Sequence, residues 1–289
     1  YEEKSWSIDT AAKIEVIETG PHRAALRIER AYNQSRLVQI ISLQVDARQV
    51  EFDFYADWQE SQSLLKAEFD FDVVSDQIKS QIQFGHVTRP THRNTSWDQA
   101  RFEASMHRWV AFEETDFAIG VLNDCKYGYS ATDTHFGLTL IKSGIYPHPT
   151  ADQEEHLCRY AIMVSDDPHP VVAINQQALD FACPLQVHAP LKEGAANATQ
   201  PASLINWSAS NVILHAAKIS EDQSGVVFRL CEESGKRTRF TVKFDERLGD
   251  VQRTNLLEQV VAACPRNEDG LVEIELAPFE IVTLAAAMD

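Results

Sequence analysis

Two stretches of the chain carry more functional side chains than their surroundings. Asn123-Asp124-Cys125-Lys126-Tyr127-Gly128-Tyr129 follows directly on the apolar run Phe117–Leu122. An amide, a carboxylate and an ammonium group in such close order can hydrogen-bond sugar hydroxyls, and tyrosine rings can stack on a pyranose face. The same residues also suit a hairpin turn, with Asn123 and Asp124 bonding their own backbone and Gly128 supplying a positive φ. Loops host both uses, and composition leaves the two open. The second stretch, Thr88-Arg89-Pro90-Thr91-His92-Arg93-Asn94-Thr95-Ser96-Trp97-Asp98, is polar and poor in β-formers. It lies as an insertion between strand-like Ile78–Phe84 and Phe102–Val110.

Other groupings carry less. Asp152, Glu155 and His156 would share a face on a helix, but the Pro-His-Pro segment just before them argues for a loop. Structural zinc needs four well-placed ligands, so solvated loop residues are the expectation there. Adjacent acids such as Glu113/Glu114, Glu154/Glu155 and Asp166/Asp167 invite a glycosidase reading. Glycosidic carboxylates must flank a substrate in space, however, and sequence adjacency does not test that. With 43 acidic residues in the chain, such neighbours arise by chance. The sequence contains no G-x-S-x-G, no H-E-x-x-H and no phosphate-cradling glycine loop.

The elements that must position these residues have a period of two. Leu65, Ala67, Phe69, Phe71 and Val73 alternate with Lys66, Glu68, Asp70 and Asp72, and Val50, Phe52 and Phe54 alternate with Glu51, Asp53 and Tyr55. Such alternation puts one face on a core and the other in water, as in an antiparallel sheet. Shorter versions run through Ile78–Phe84, Phe136–Leu140, Val226–Leu230 and Phe240–Phe244. Gly20-Pro21, Ser234-Gly235 and Asp269-Gly270 punctuate them as turns. More than a dozen candidate strands point to large antiparallel sandwiches. One segment differs: Val171, Ile174, Ala178 and Phe181 have helical spacing, with Asp166 and Asp167 as possible caps and Pro168 suited to the first turn. Residues 184–204 lack period and bulk and read as a connector. The expected division is therefore a β unit over 1–183, the connector, and a smaller β unit over 205–289.

The chain of 289 residues holds 26 Lys+Arg against 43 Asp+Glu, a formal net charge of −17. That surplus repels phosphate backbones and anionic lipid, so neither nucleic acid nor a membrane surface is an expected partner. Charge interrupts every apolar run well short of the ~20 residues a membrane-spanning helix requires. The opening residues YEEKSWSIDT resemble no targeting signal and contain no Met, as expected of a processed chain or a piece of a longer one. Five dispersed cysteines, Cys125, Cys158, Cys183, Cys231 and Cys264, read as free thiols in a reducing, cytoplasmic compartment.

Several motifs together resemble the C-terminal half of glycoside hydrolase family 38, the α-mannosidases. They are Arg89–Asp98 followed by Arg101-Phe102-Glu103 and His107-Arg108-Trp109; the Asn123–Tyr129 run; and Tyr146-Pro147-His148-Pro149 leading into Ala151-Asp152-Gln153, with His156 and Tyr160. Asp57-Trp58, Leu64-Leu65-Lys66, Thr254–Glu258 and Pro278-Phe279-Glu280-Ile281 extend the match. The resemblance implies an all-β fold: a galactose-mutarotase-like antiparallel supersandwich followed by a smaller β-sandwich, with one short helix between them. It implies a retaining α-mannosidase whose zinc, nucleophile and acid/base lie in an N-terminal barrel that this chain does not match. No catalytic residue and no metal ligand is carried over, and this chain by itself is expected to be inactive. The resemblance makes Asp124, Lys126, Tyr127, Tyr129, Asp152 and Gln153 the candidate sugar-pocket contacts. His92, Arg93 and Trp97 are expected to fix their loop by packing and hydrogen bonding. The implied partners are the N-terminal catalytic domain of the same polypeptide and, in the whole enzyme, mannosides, with a homo-oligomer left open. A free-standing carbohydrate-binding module is the rival reading, and a mutarotase-type epimerase a remote one.

Overall fold

The computed structural model describes residues 4–186 and 203–288. The expected connector at 184–204 lies largely outside the described residues. Two compact units emerge, one of Tyr1–Ile82 and Val87–Pro184, the other of Gln83–His86 and Leu185–Asp289.

The first unit runs through β1 (Ala12–Thr19), β2 (Arg23–Tyr32), β3 (Ser35–Gln44), β4 (Gln49–Asp57), β5 (Ser63–Asp70), β6 (Gln77–Ile82) and β7 (Gly85–Pro90). After α1 (Ser96–Ala100) come β8 (Ala104–Ser105), β9 (Trp109–Glu113), β10 (Ala118–Asn123), β11 (Gly128–Thr132), β12 (His135–Ser143), β13 (Glu155–Ser165) and α2 (Pro170–Ala182). They form a nine-stranded sheet in the order β1-β2-β3-β4-β13-β10-β9-β6-β7 and a four-stranded sheet, β5-β12-β11-β8. The alternating apolar residues of β5 do what their period requires. Phe69 and Phe71 meet Phe52, Tyr160, Phe112 and Phe136 in an aromatic layer between the two sheets.

The other face of the nine-stranded sheet is covered by α2. Ile174, Ala178 and Phe181 pack on Trp109, Ala111, Ala118, Leu122, Ala161 and Met163. Strand β10 is therefore buried on both faces along its whole length, which explains why Phe117–Leu122 shows no alternation. Gly120 lets the helix approach this closely: a Cβ there would stand 2.8 Å from Ile174 Cγ2. The helix falls where its spacing predicts, but its start differs. His169 occupies the cap position with Pro170 following, while Asp166 pairs with Arg48 and Asp167 accepts from Ser165. The acids satisfy β13 and its neighbour rather than the helix.

The Thr88–Asp98 stretch is also more ordered than its composition suggests. Its first residues complete β7, and Thr95 and Asp98 form a capping box on α1, a second short helix.

The second unit holds β14 (Ile205–Trp207), β15 (Val212–Ile219), β16 (Gly225–Glu232), β17 (Thr238–Phe244), β18 (Leu248–Thr254), β19 (Val260–Ala263), β20 (Val272–Leu276) and β21 (Ile281–Met288). Sheets β14-β17-β20 and β15-β16-β21-β18-β19 enclose a core of Phe228, Leu230, Phe240, Val242, Phe244, Ile274 and Leu284. Gly20, Gly235 and Gly270 all have positive φ, as their turn positions demand. Among the described residues no helix is long and apolar enough to cross a membrane.

Candidate functional site

The Asn123–Tyr129 run begins at the buried end of β10, where Asn123 pairs with Tyr160 of β13. Asn123 is fully buried. Its Nδ2 donates to the His107 carbonyl at 2.6 Å, and its Oδ1 accepts from Lys126 N at 2.8 Å, closing the turn. Asp124 extends the ladder: its N–H reaches the Arg159 carbonyl at 3.1 Å, and its Oδ1 accepts from Arg159 N at 3.0 Å. The Cys125 thiol faces the Leu157 carbonyl at 3.9 Å. Burial first, and then a hydrogen bond with Asp124, push that thiol up to about 11, so it is protonated and inert at neutral pH.

The turn reading is realised at Asn123 and Asp124, although Gly128 does not take the positive φ expected of it. Asn123 and Asp124 spend bonding capacity on backbone, while Lys126 is half-buried and Tyr127 stands 54% exposed. The Tyr127 ring lies 6.1 Å from the imidazole of His107, and its carbonyl accepts from Met106 N. The Arg159 side chain joins Asp53 at 3.2 Å and covers the Phe181 ring at 4.5 Å.

Tyr129 is placed differently from its neighbour. Only 1% exposed, it stacks on Phe136 inside the core, and its hydroxyl meets Ser80 Oγ at 2.6 Å. A ring so enclosed presents no face to a ligand, which removes it from the candidate contacts. The strand starts at Gly128, so Tyr129 points inward while Tyr127 remains outside.

Asp152 and Gln153 sit on the loop entering β13. Asp152 is exposed at φ 58, and its carbonyl accepts from His156 Nε2 at 2.9 Å. Gln153 is half-buried and bonds the Thr150 carbonyl through its backbone N–H. His156 therefore ties the loop back on itself through backbone, as expected of loop residues. At the other stretch, the expected packing role fails for Trp97, which is 75% exposed. His92 Nδ1 stands 3.7 Å from Asp98 Oδ2.

A polar cluster escaped the sequence reading. Lys66 Nζ pairs with Glu103 and donates to Ser130 Oγ at 2.5 Å, and Thr139 Oγ1 donates to the same glutamate at 3.1 Å. The alternation of β5 put Lys66 on its outer face, but nothing in sequence announced that Glu103 would return beside it. An open cleft of about 660 Å³ lies elsewhere in this unit, lined by Val74–Gln77, Lys79, Thr88, Ala111, Glu113 and Asp133. None of the candidate sugar contacts lines it.

Comparison with known proteins gives this geometry a family. Residues 1–150 match the glycosyl hydrolases family 38 C-terminal domain, and residues 211–284 match the family 38 C-terminal beta sandwich domain. The chain is 33% identical over 259 residues to human alpha-mannosidase 2C1, covering 86% of this chain and 24% of that protein. It is 30% identical over 279 residues to alpha-mannosidase G of Dictyostelium discoideum, covering 93% of this chain and 25% of that one. It thus spans about a quarter of the length of these relatives. An alpha-mannosidase from Enterococcus faecalis V583 shares the fold, with a TM-score of 0.78 at 16% identity, over 96% of this chain and 35% of the other. Both family models match in chain order, and this chain belongs to the family of glycosyl hydrolase family 38 C-terminal domains.

Proposed function

We propose that this chain is the non-catalytic β portion of an α-mannosidase that hydrolyses terminal α-linked mannose, and that it supports a zinc-containing catalytic domain of the same polypeptide. The carrying observation is that both C-terminal models match in order in a chain that spans only a quarter of its mannosidase relatives. The first unit offers a surface suited to such support. Ile14, Val16, Leu26 and Leu43 share one face of β1–β3, through the pairs Val16↔Leu26 and Leu26↔Ile41, and all are exposed. An unpartnered apolar face of this kind favours burial against another domain.

Tyr127 and Lys126 are the proposed sugar-pocket contacts from this chain, with Asp124, Asp152 and Gln153 behind them. The exposed Tyr127 ring supplies a stacking face, and Lys126 a hydrogen-bond donor. None of these residues is assigned to zinc: Asp124 Oδ1 is engaged by Arg159 N, and Asp152 meets His156 through its backbone. Five free cysteines agree with a cytoplasmic setting.

Two measurements test the reading. The chain alone, incubated with an aryl α-mannoside, is expected to release no more product than a boiled control; turnover would overturn the non-catalytic assignment. In the full-length enzyme, Tyr127→Ala is expected to raise KM for that substrate by roughly tenfold, the scale of a lost stacking contact. An unchanged KM removes Tyr127 from the pocket. Millimolar or tighter mannose binding by the chain alone, read by titration calorimetry, would favour a free-standing binding module instead.

A further inference from the structure

Strands β15 and β16 pair with a break in register: Leu214 opposes Leu230, yet Ala216 opposes Arg229. His215 is the extra residue of a β-bulge, a device that re-aims a side chain. It is aimed at Glu233, whose Oε1 bonds His215 Nε2. Cys231 lies two residues before Glu233 and so shares its side of the strand. The imidazole nitrogen, the thiol sulfur and the carboxylate oxygen all lie within 4.8 Å of one another. Cys231 and Glu233 are buried, while the His215 side chain keeps 20% of its surface in solvent. Glu232, between them, points the other way and spends its carboxylate on Asn211, Ser234 and the backbone N–H groups of Gly235, Lys236 and Phe279.

We propose that His215, Cys231 and Glu233 bind a divalent cation of the zinc class and so pin the β15 bulge to the end of β16. The donor set selects the metal: thiolate and imidazole suit zinc and its neighbours, whereas calcium and magnesium require oxygen ligands throughout. With Zn–N near 2.0 Å and Zn–S near 2.3 Å, tetrahedral ligand atoms stand roughly 3.3–3.7 Å apart. Since no two of the ligand atoms are more than 4.8 Å apart, the longest separation closes by about 1.5 Å at most on binding. The half-buried imidazole is the side from which an ion enters, and water takes the fourth position, so this is an open three-ligand site rather than a closed four-ligand structural one. Binding replaces the His215–Glu233 hydrogen bond and releases the Cys231 thiol proton to solvent. Because the thiol must give up its proton to ligate, metal uptake weakens as pH falls. This site is independent of the mannosidase reading and distinct from the zinc assigned to the catalytic domain, since all three ligands belong to the second unit.

The test titrates Co²⁺ into metal-free, tag-free protein. Expected is a thiolate-to-cobalt charge-transfer absorption that saturates near about one equivalent, is displaced by Zn²⁺, and disappears in Cys231→Ser. Zn²⁺ is expected to raise Tm in the wild type and not in that variant. His215→Gln is expected to weaken binding by more than the roughly 10–100-fold that loss of a supporting partner costs. No band in the wild type, or a band that survives Cys231→Ser and so belongs to another cysteine, overturns the proposal. Should Cys231→Ser fail to fold by circular dichroism, His215→Gln decides: unchanged cobalt affinity leaves only an ion pair beside an inert thiol.

Discussion

Asp222 sits in the turn between β15 and β16, where a single carboxylate oxygen collects Ser220 Oγ at 2.7 Å, Ser224 N at 3.0 Å and Ser224 Oγ at 2.7 Å. Those bonds, the Ser220 hydroxyl foremost, hold its carboxyl at about 2 against an ordinary value of 3.8. A carboxylate so depressed adds stability that is present in full above its unfolded value and is lost as pH falls through the folded one. Asp222→Asn is therefore expected to lower the urea midpoint at neutral pH, with the gap to wild type closing between 3.8 and about 2. A gap that stays constant across that range would show that the charge is not what the hydroxyls recognise. At this scale the sequence conveyed chemistry better than position. Tyr127 and Tyr129 are the same residue type two apart, yet one faces solvent and the other lies under Phe136. Only the start of β11 separates them, and strand boundaries leave little trace in side-chain type. His215 gave no signal at all, because a bulge is a property of two strands in register and neither strand shows it alone.

At the scale of elements, Gly120 and α2 form one unit of packing. Gly120→Ala places a methyl carbon against Ile174 and is expected to cost roughly 1–3 kcal/mol, measured by urea denaturation, as overpacked cores do. A loss under about 0.5 kcal/mol would mean that the helix rides over the added carbon. The helix itself was legible because Val171, Ile174, Ala178 and Phe181 share a face and that face meets one sheet. Its cap was not legible: Asp166 and Asp167 have the right chemistry for it, but Arg48 and Ser165 engage them first. Similarly, Thr88–Pro90 read as insertion because β7, at the sheet edge, is short and carries Arg and Pro. The alternating β4, β5 and β17 were read correctly, since each turns one face to a core and the other outward.

For the molecule as a whole, the match to the first family model ends at residue 150, but the sheet does not. β13 begins at Glu155 and lies between β4 and β10, pairing with both. A chain ending at 150 leaves two partial sheets with unpaired edges, one of them the wholly buried, largely apolar β10. Such a chain is expected to be insoluble, whereas one ending at 184 keeps the nine strands and stays in the supernatant. Equal solubility and equally cooperative melting of the two would show that β13 is dispensable. The second unit carries a related feature with no compositional mark, since it draws Gln83–His86 from the middle of the chain. Placing β13 at the centre of the sheet also sets a clock on synthesis. Tyr55 meets Glu155, 100 residues later, so at the usual rate of translation the first four strands wait roughly 5–20 s for the strand that joins them to the rest. During that interval β4 emerges as an open edge beside the nascent chains of neighbouring ribosomes. The productive yield of this protein is therefore expected to depend on elongation speed and on chaperones that shield that edge.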